Sequence, residues 1–195
     1  SSLPKSLWDK FYKVISYANL AISQLDNVSW SNEADKARLE AEAHFLRGLA
    51  HLRLAEYYGA VPIIREFIQE TKFDYVRDAR ADVYNFAIEE FKLAYATLPE
   101  STVAMGQAGR ASKYVAAHYL AEALVALGTE TDDKACFTEA ENYAKVMKNL
   151  EADVAGIKAE IDRLNEQKAE VEAQRAEIEK RKAAISEAII SAQEQ

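Results

Sequence analysis

The most constraining feature of the sequence is a long segment, residues 39–64, whose apolar residues follow helical spacing on two adjacent stripes. The stripes consist of Leu39, Ala43, Leu46, Ala50 and Tyr57 and of Phe45, Leu49, Leu52 and Ala55. A helix that is apolar around so much of its circumference must be covered on more than one side, so we expect it to lie inside a stack of helices. Gly59 and Pro62 predict where it ends, because glycine readily adopts a left-handed cap and proline prevents a restart.

The composition predicts an all-α fold and argues against one class of partner. Six glycines and three prolines among 195 residues are few, and alanine and charged residues are abundant. A formal charge of −8 argues against nucleic acid, which is bound largely by neutralising phosphates. No apolar run reaches membrane-spanning length, and the start at Ser1 suggests a trimmed amino terminus. The single cysteine, Cys136, cannot form an intrachain disulfide and is expected to be buried and inert.

The remaining helical periodicity predicts a tetratricopeptide-like scaffold of antiparallel helices. Further helices are expected at about residues 8–25, 80–98 and 110–127, with Ser31-Asn32 as the N-cap of the central helix and Gly128 closing the last of these. Short turns between helices indicate a repeat. The tetratricopeptide spacing is matched at Leu124, Leu127, Gly128, Phe137, Ala140, Ala144 and Met147. Ala152 replaces the closing proline of that repeat, so nothing is expected to stop the final helix.

From residue 150 onward a heptad pattern predicts a long coiled-coil helix, and we divide the chain into a helical domain, 1–149, and this helix, 150–195. The aliphatic residues expected at the coiled-coil interface are Leu150, Val154, Ile157, Ile161, Leu164, Val171, Ile178, Ile185 and Ile189. Lys168, Arg175 and Lys182 occupy the other a positions, where a parallel homodimer would bring like charges together. Antiparallel self-association, an acidic partner helix and a solvated single helix all fit this pattern, and we favour self-association.

No arrangement of residues in the sequence indicates catalysis, a metal or a cofactor. His44 and His51 are two helical turns apart, which is too far for one metal without a third ligand, and no phosphate-binding glycine loop follows a strand. We therefore expect a non-enzymatic protein. Arg47 and Arg110 are assigned structural roles. Because Arg47 lies deep in an apolar helix, we predict a buried ion pair with an acidic residue of a neighbouring helix.

Three aromatic residues, Trp30, Phe73 and Tyr75, fall in predicted loops and are the candidates for ligand binding. Flat side chains exposed in loops could stack on sugar rings. The alternative interpretation is that they cover the ends of the helical stack.

Several spaced motifs together resemble the SusD/RagB family of nutrient-binding lipoproteins. They are an aromatic first helix with Ala18-Asn19, EAHFLRG at residues 42–48, YGAVPI at 58–63 and GRASKYVAA at 109–117, with ADVY at 81–84 and Leu98-Pro99 between the last two. The resemblance covers about residues 7–147. It implies a tetratricopeptide-like scaffold, glycan capture at the outer-membrane surface of Bacteroidetes, and a TonB-dependent transporter as partner.

The chain departs from the family pattern in three respects. His44 stands where the family usually has arginine, the lipid-bearing cysteine is absent, and the coiled-coil-like helix replaces a second, irregular subdomain. The abrupt change near Leu150 would also fit a fragment or an engineered chimera. Two hypotheses follow from the sequence: a SusD-like glycan-binding scaffold, or an interaction protein whose helical repeats display a coiled coil for oligomer assembly.

Overall fold

The computed structural model describes residues 3–70, 73–102 and 106–193, and within these ranges the protein is an all-α structure, as predicted. Its elements are α1 (Leu3–Gln24), a short 3-10 turn (Leu25–Asn27), α2 (Glu33–Tyr58), α3 (Arg80–Thr97), α4 (Lys113–Thr131) and α5 (Lys134–Gln193). The only extended pairing among these residues is one antiparallel bridge between Val61 and Asp78. The chain forms two compact units, residues 1–148 and residues 149–195.

Helices α1 to α4 pack as successive antiparallel neighbours around the apolar central helix α2. Trp8, near the start of α1, contacts Tyr58 at the end of α2, with ring centroids 5.1 Å apart. Phe45, in the first half of α2, lies 5.8 Å from Phe91 in the second half of α3. Phe91 in turn stacks on Tyr119 of α4 at 6.0 Å. The predicted antiparallel scaffold is therefore present, and neighbouring helices cover most of the apolar surface of α2. The expected coverage fails at Leu46 and Tyr57, which are 47% and 62% exposed because the neighbouring helices leave that part of the first stripe largely uncovered.

One glycine allows α2 and α3 to approach closely. A Cβ atom added at Gly48 would lie 2.9 Å from Cβ of Glu90 and 3.3 Å from the carbonyl oxygen of Ala87. Both distances are shorter than ordinary van der Waals contact, so a side chain at this position would push the helices apart. The close approach positions the polar residues of α2 and α3 that are described below.

The helix ends agree with the sequence predictions at α2 and differ at α4. Asn32 caps α2 by accepting a hydrogen bond from the backbone N–H of Ala34, and Gly59 follows the helix with a φ of 76°. Gly128 does not close α4. The helix continues to Thr131 and ends at Asp132, which adopts a left-handed conformation. Gly128 remains helical because it serves packing: an added Cβ would lie 3.0 Å from Cβ of Cys136.

The boundaries of α4 and α3 also shift by a few residues. Helix α4 begins at Lys113, not at Arg110, because the side chain of Ser112 accepts a hydrogen bond from the backbone N–H of Val115 and so caps the helix. Helix α3 ends at Thr97, just before Leu98 and Pro99, as the proline predicts.

The last helix, α5, contributes to both units. In the first unit, Cys136 and Ala140 are buried in the core, and burial raises the pKa of the Cys136 thiol. In the second unit, the described aliphatic residues of the heptad pattern are 50–61% exposed: Val154, Ile161, Leu164, Val171 and Ile178. The side chains of the other predicted interface residues, Leu150, Ile157, Ile185 and Ile189, lie outside the described residues. None of the described helices contains an apolar stretch that could span a lipid bilayer.

Candidate functional site

One concave site is an aromatic-lined cavity of about 350 Å³ between α1 and the connection from α2 to α3, residues 59–79. Its walls consist of Trp8, Tyr12, Ile15 and Ser16 from α1 and of Pro62, Ile64, Glu66, Ile68 and Tyr75 from the connection. We call this space the α1 cavity. Three aromatic and several aliphatic residues make up most of the lining, and the carboxylate of Glu66 and the hydroxyl groups of Ser16 and the two tyrosines add polar groups. A cavity of this size with a few polar groups is typical of small-molecule sites.

In its described residues, 59–70 and 73–79, the connection has no regular secondary structure apart from the bridge between Val61 and Asp78, so side chains of the helices hold its backbone. Tyr12 donates its hydroxyl proton to the carbonyl of Pro62 at 2.9 Å. The amide of Asn19 donates to the carbonyls of Ile64 and Glu66 at 3.1 and 2.9 Å. Irregular backbone near a core needs such partners because unpaired polar groups are costly. The wall of the α1 cavity is thus fastened to the scaffold at three carbonyls.

Two backbone N–H groups of the same wall are also bound. Ile63 donates its N–H to the carboxylate of Asp78 at 2.7 Å, and Ile64 donates to Nε2 of His51 at 3.3 Å. His51 in turn donates its Nδ1 proton to the carbonyl of Arg47 at 2.9 Å. Because one ring nitrogen accepts and the other donates, this arrangement requires neutral His51. Burial lowers the pKa of His51 to about 4, in agreement with that requirement.

Arg47 forms the predicted buried ion pair, and its partner is Glu90 of α3. The guanidinium donates Nε and Nη2 protons to the two carboxylate oxygens at 2.6 and 2.8 Å. Its Nη1 donates to the side-chain oxygen of Asn19 at 2.7 Å and to the carbonyl of Arg65 at 2.8 Å. The pair therefore joins α1, α2, α3 and the connection. A planar, bidentate arginine suits this role better than lysine would.

Glu90 keeps its negative charge although it is buried. Burial alone would raise its pKa, but hydrogen bonds from His44 and Arg47, together with the positive charge of Arg47, hold the pKa below its usual value. His44 lies 3.1 Å from the carboxylate through Nδ1. His44 and His51 are therefore satisfied polar residues of the scaffold, and no cluster of three or more metal-ligating side chains occurs among the described residues.

The three aromatic residues that the sequence suggested for ligand binding, Trp30, Phe73 and Tyr75, lie in three different environments. Tyr75 lines the α1 cavity. Phe73 is 91% exposed and does not line the cavity. Trp30 is half-buried and donates its indole proton to the carbonyl of Leu25 at 2.7 Å, so it covers the turn between α1 and α2. Of the three candidates, only Tyr75 lies in the α1 cavity.

Two lining aromatics, Trp8 and Tyr12, were not among the candidates that sequence reasoning selected. Both pack in part against the core, on the same side of α1 as the buried Ile15, and an aromatic residue at such a position usually belongs to the core. Four residues separate them, which places both rings on one face of the helix, and their centroids are 4.9 Å apart. The spacing of Trp8 and Tyr12 was therefore the one feature of the sequence that could have indicated an aromatic wall on α1.

Arg110 lies away from the α1 cavity and joins the loop before α4 to α2. Its guanidinium forms an ion pair with Glu42, in which Nε donates to the carboxylate at 2.8 Å. Because Arg110 is exposed, the ion pair adds little to stability, and its main effect is to hold the loop against α2.

Comparison with protein-family models identifies one family. A SusD-like family model, described as "Starch-binding associating with outer membrane", matches residues 2–124, which is more than half of the chain. A comparison with curated protein sequences gave no significant match.

Solved structures of SusD-like proteins share the fold of the helical unit. A SusD-like carbohydrate-binding protein of Bacteroides fragilis is 30% identical, with a TM-score of 0.56, and the alignment covers 68% of this chain and 28% of that protein. A laminarin-binding SusD-like protein is 27% identical, with a TM-score of 0.60, over 69% of this chain and 29% of that protein. Surface glycan-binding protein A of Bacteroides uniformis is 26% identical, with a TM-score of 0.63, over 73% and 31%. The chain spans less than a third of each structure, and by its sequence and its helical scaffold it belongs to the SusD-like family.

Proposed function

We propose that this protein is a non-catalytic glycan-binding scaffold that contributes to nutrient uptake at the bacterial outer membrane. Family membership supports the general role, since its family model is described as starch-binding and solved relatives bind laminarin or other carbohydrates. The observation that carries the proposal for this chain is the α1 cavity, where Trp8, Tyr12 and Tyr75 lie around one space.

The chemistry of the cavity wall suits a sugar ring. Aromatic rings offer flat apolar surfaces for the C–H faces of a pyranose, and they contribute much contact area at low entropic cost. Ser16 and Glu66 add a hydroxyl and a carboxylate, which can exchange hydrogen bonds with sugar hydroxyls. The hydrogen bonds at Pro62, Ile64 and Glu66 keep this wall in place before a ligand arrives.

A fluorescence titration tests the proposal. Trp8 lines the cavity and Trp30 does not, so the Trp30→Phe variant reports mainly from the site. We expect oligosaccharides derived from laminarin, starch or xyloglucan to change the emission of Trp8 in a saturable manner. Tyr75→Ala should weaken binding about tenfold or more, which corresponds to loss of one aromatic stacking partner at roughly 1.5 kcal/mol. The matched control, Phe73→Ala, removes an exposed aromatic two residues away and should leave affinity unchanged.

The outcomes separate two conclusions. A flat titration across the glycan panel would refute glycan binding by this chain. Equal loss of affinity in Tyr75→Ala and Phe73→Ala would place the ligand on the exposed connection and not in the α1 cavity.

We further propose that the scaffold acts with a TonB-dependent transporter at the cell surface, as the family resemblance implies. This partnership rests on family membership alone. Cross-linking in cells, followed by identification of the outer-membrane protein attached to the chain, tests it directly. A chain that fractionates away from the outer membrane, with no transporter attached, would contradict this part of the proposal.

A further inference from the structure

The second unit, residues 149–195, carries an apolar helical face that solvent reaches. Val154, Ile161, Leu164, Val171 and Ile178 recur at heptad spacing and are each between 50% and 61% exposed. We call these five residues the heptad seam. A stripe this narrow cannot be buried by its own helix, so a second helix is needed to remove it from water.

Charged residues restrict which helix can cover the seam. Lys168, Arg175 and Lys182 occupy core-facing heptad positions in the same stretch, and all three are exposed. In a parallel, in-register homodimer each cation would face its own copy, and three of the five core layers between residues 168 and 182 would hold like charges at short distance. This repulsion makes the parallel dimer less stable than an arrangement that separates the cations.

We propose that the seam is covered by the same helix of a second copy of this chain, in antiparallel orientation, with Ile161 opposite Ile178 and Lys168 opposite Val171. In this register Leu164 falls opposite Arg175, so that each of these cations meets an aliphatic residue of the partner. The long aliphatic stems of lysine and arginine cover such neighbours while their charges reach water at the edge. In this register each of the remaining a and d positions between residues 150 and 189 also lies opposite an a or d position of the partner helix.

Flanking charges favour the same register. With Ile161 opposite Ile178, Lys158 of one copy lies beside Glu179 of the other, and the two-fold symmetry creates this pair twice. Both residues are exposed in the single chain, and the contact of Glu179 with Lys182 of its own helix is a long, solvent-exposed ion pair of 3.7 Å, which a cross-helix partner can replace or share. Opposite charges flanking the core are the usual determinants of partner and orientation in coiled coils.

The first experiment measures mass by light scattering on the full chain across a range of concentrations. We expect a dimer, and we expect Ile161→Glu to raise its Kd at least 100-fold by placing a carboxylate in the core. Ala159→Glu is the matched control, because position 159 lies on the outer face of the helix and should leave the Kd unchanged. A full-length chain that remains monomeric at 100 µM (roughly the limit of a useful affinity) would overturn the proposal.

The second experiment determines orientation and register. A nitroxide label at Ala159→Cys, in a Cys136→Ala background, should give an intermolecular distance of about 30 Å, since the two labels are separated by some 21 residues at ~1.5 Å each. A parallel dimer would give less than about 20 Å and would overturn the proposed orientation. Lys158→Glu and Glu179→Lys should each raise the Kd about tenfold, and the double variant should restore it. If the chain is monomeric alone but binds an acidic helical peptide through the seam, a heterologous partner replaces the second copy and the proposal fails.

Discussion

The buried imidazole of His51 makes a specific prediction about acid sensitivity. Its ring must be neutral to accept the N–H of Ile64 while it donates to the carbonyl of Arg47. Burial lowers its pKa to about 4, from 6.5 in an unfolded chain. The charged neighbours do not change this result: Glu90 favours the protonated ring, whereas Arg47 and Arg65 oppose it.

The sign and size of the effect follow from proton linkage. Between pH 6.5 and pH 4 the unfolded chain binds a proton at His51 that the folded protein does not, so the free energy of unfolding falls as the pH is lowered. With pKa values of about 4 and 6.5, the loss between pH 7.5 and pH 5 is about 2 kcal/mol. For a folded unit of this size, that corresponds to a decrease in Tm of about 4–8 °C.

Urea denaturation at pH 7.5 and at pH 5, followed by circular dichroism, measures this difference. His51→Gln removes this titrating group and is expected to be less stable at pH 7.5 but to lose about 2 kcal/mol less than the parent between the two pH values. His118→Gln is the matched control, because His118 is an exposed histidine of α4, and it should keep the pH dependence of the parent. The reasoning is wrong if the parent and His51→Gln lose the same free energy between the two pH values, or if His118→Gln abolishes the dependence.

Three further substitutions probe the scaffold, each by urea denaturation. Arg47→Met should cost about 3–5 kcal/mol, since it leaves the carboxylate of Glu90 buried without its cation, and an unchanged midpoint would contradict the ion pair. Gly48→Ala should cost about 1–3 kcal/mol through contact of the new methyl group with α3, and a stabilised variant would show that the helices yield without strain. Tyr12→Phe should cost about 1 kcal/mol by removing the hydrogen bond to Pro62, and no loss would indicate that water replaces it.

The helical frame was predictable because its determinants are local. Apolar periodicity, the cap at Asn32 and the stop at Gly59 each act within a few residues. The ion pair of Arg47 was predictable as a class, since a cation on an apolar helix requires a partner, but its identity was not. Glu90 is 43 residues away in the sequence, and it looks like an ordinary surface carboxylate beside Glu89 until α2 and α3 are packed.

The predictions that differed from the structure depended on tertiary contacts. Gly128 resembles a helix terminator in isolation, but in the folded chain it provides room for Cys136. The α1 cavity was not predicted because Trp8 and Tyr12 have the spacing of core residues. Whether such a stripe is buried or lines a cavity depends on the path of the irregular connection, which no local pattern specifies.

The buried polar residues explain how an irregular connection can form a defined wall. Asn19 is the central residue: its amide nitrogen donates to the carbonyls of Ile64 and Glu66, and its oxygen accepts from Arg47. A leucine at this position would pack in the core without these bonds. The main effect of asparagine at this position is therefore to fix where the wall lies, and its net contribution to the free energy of unfolding is the smaller effect.

This argument predicts a separation between local order and helical stability in Asn19→Ala. We expect faster hydrogen exchange at the amides of Ile63 and Ile64, whose bonds to Asp78 and His51 depend on the position of the wall. Exchange in the middle of α3 should change much less, because its hydrogen bonds open only with the whole unit. Loss of two hydrogen bonds to carbonyls should cost about 2 kcal/mol at most. Equal acceleration in the connection and in α3 would mean that Asn19 supports the whole helical unit, and that the wall has no separate anchor.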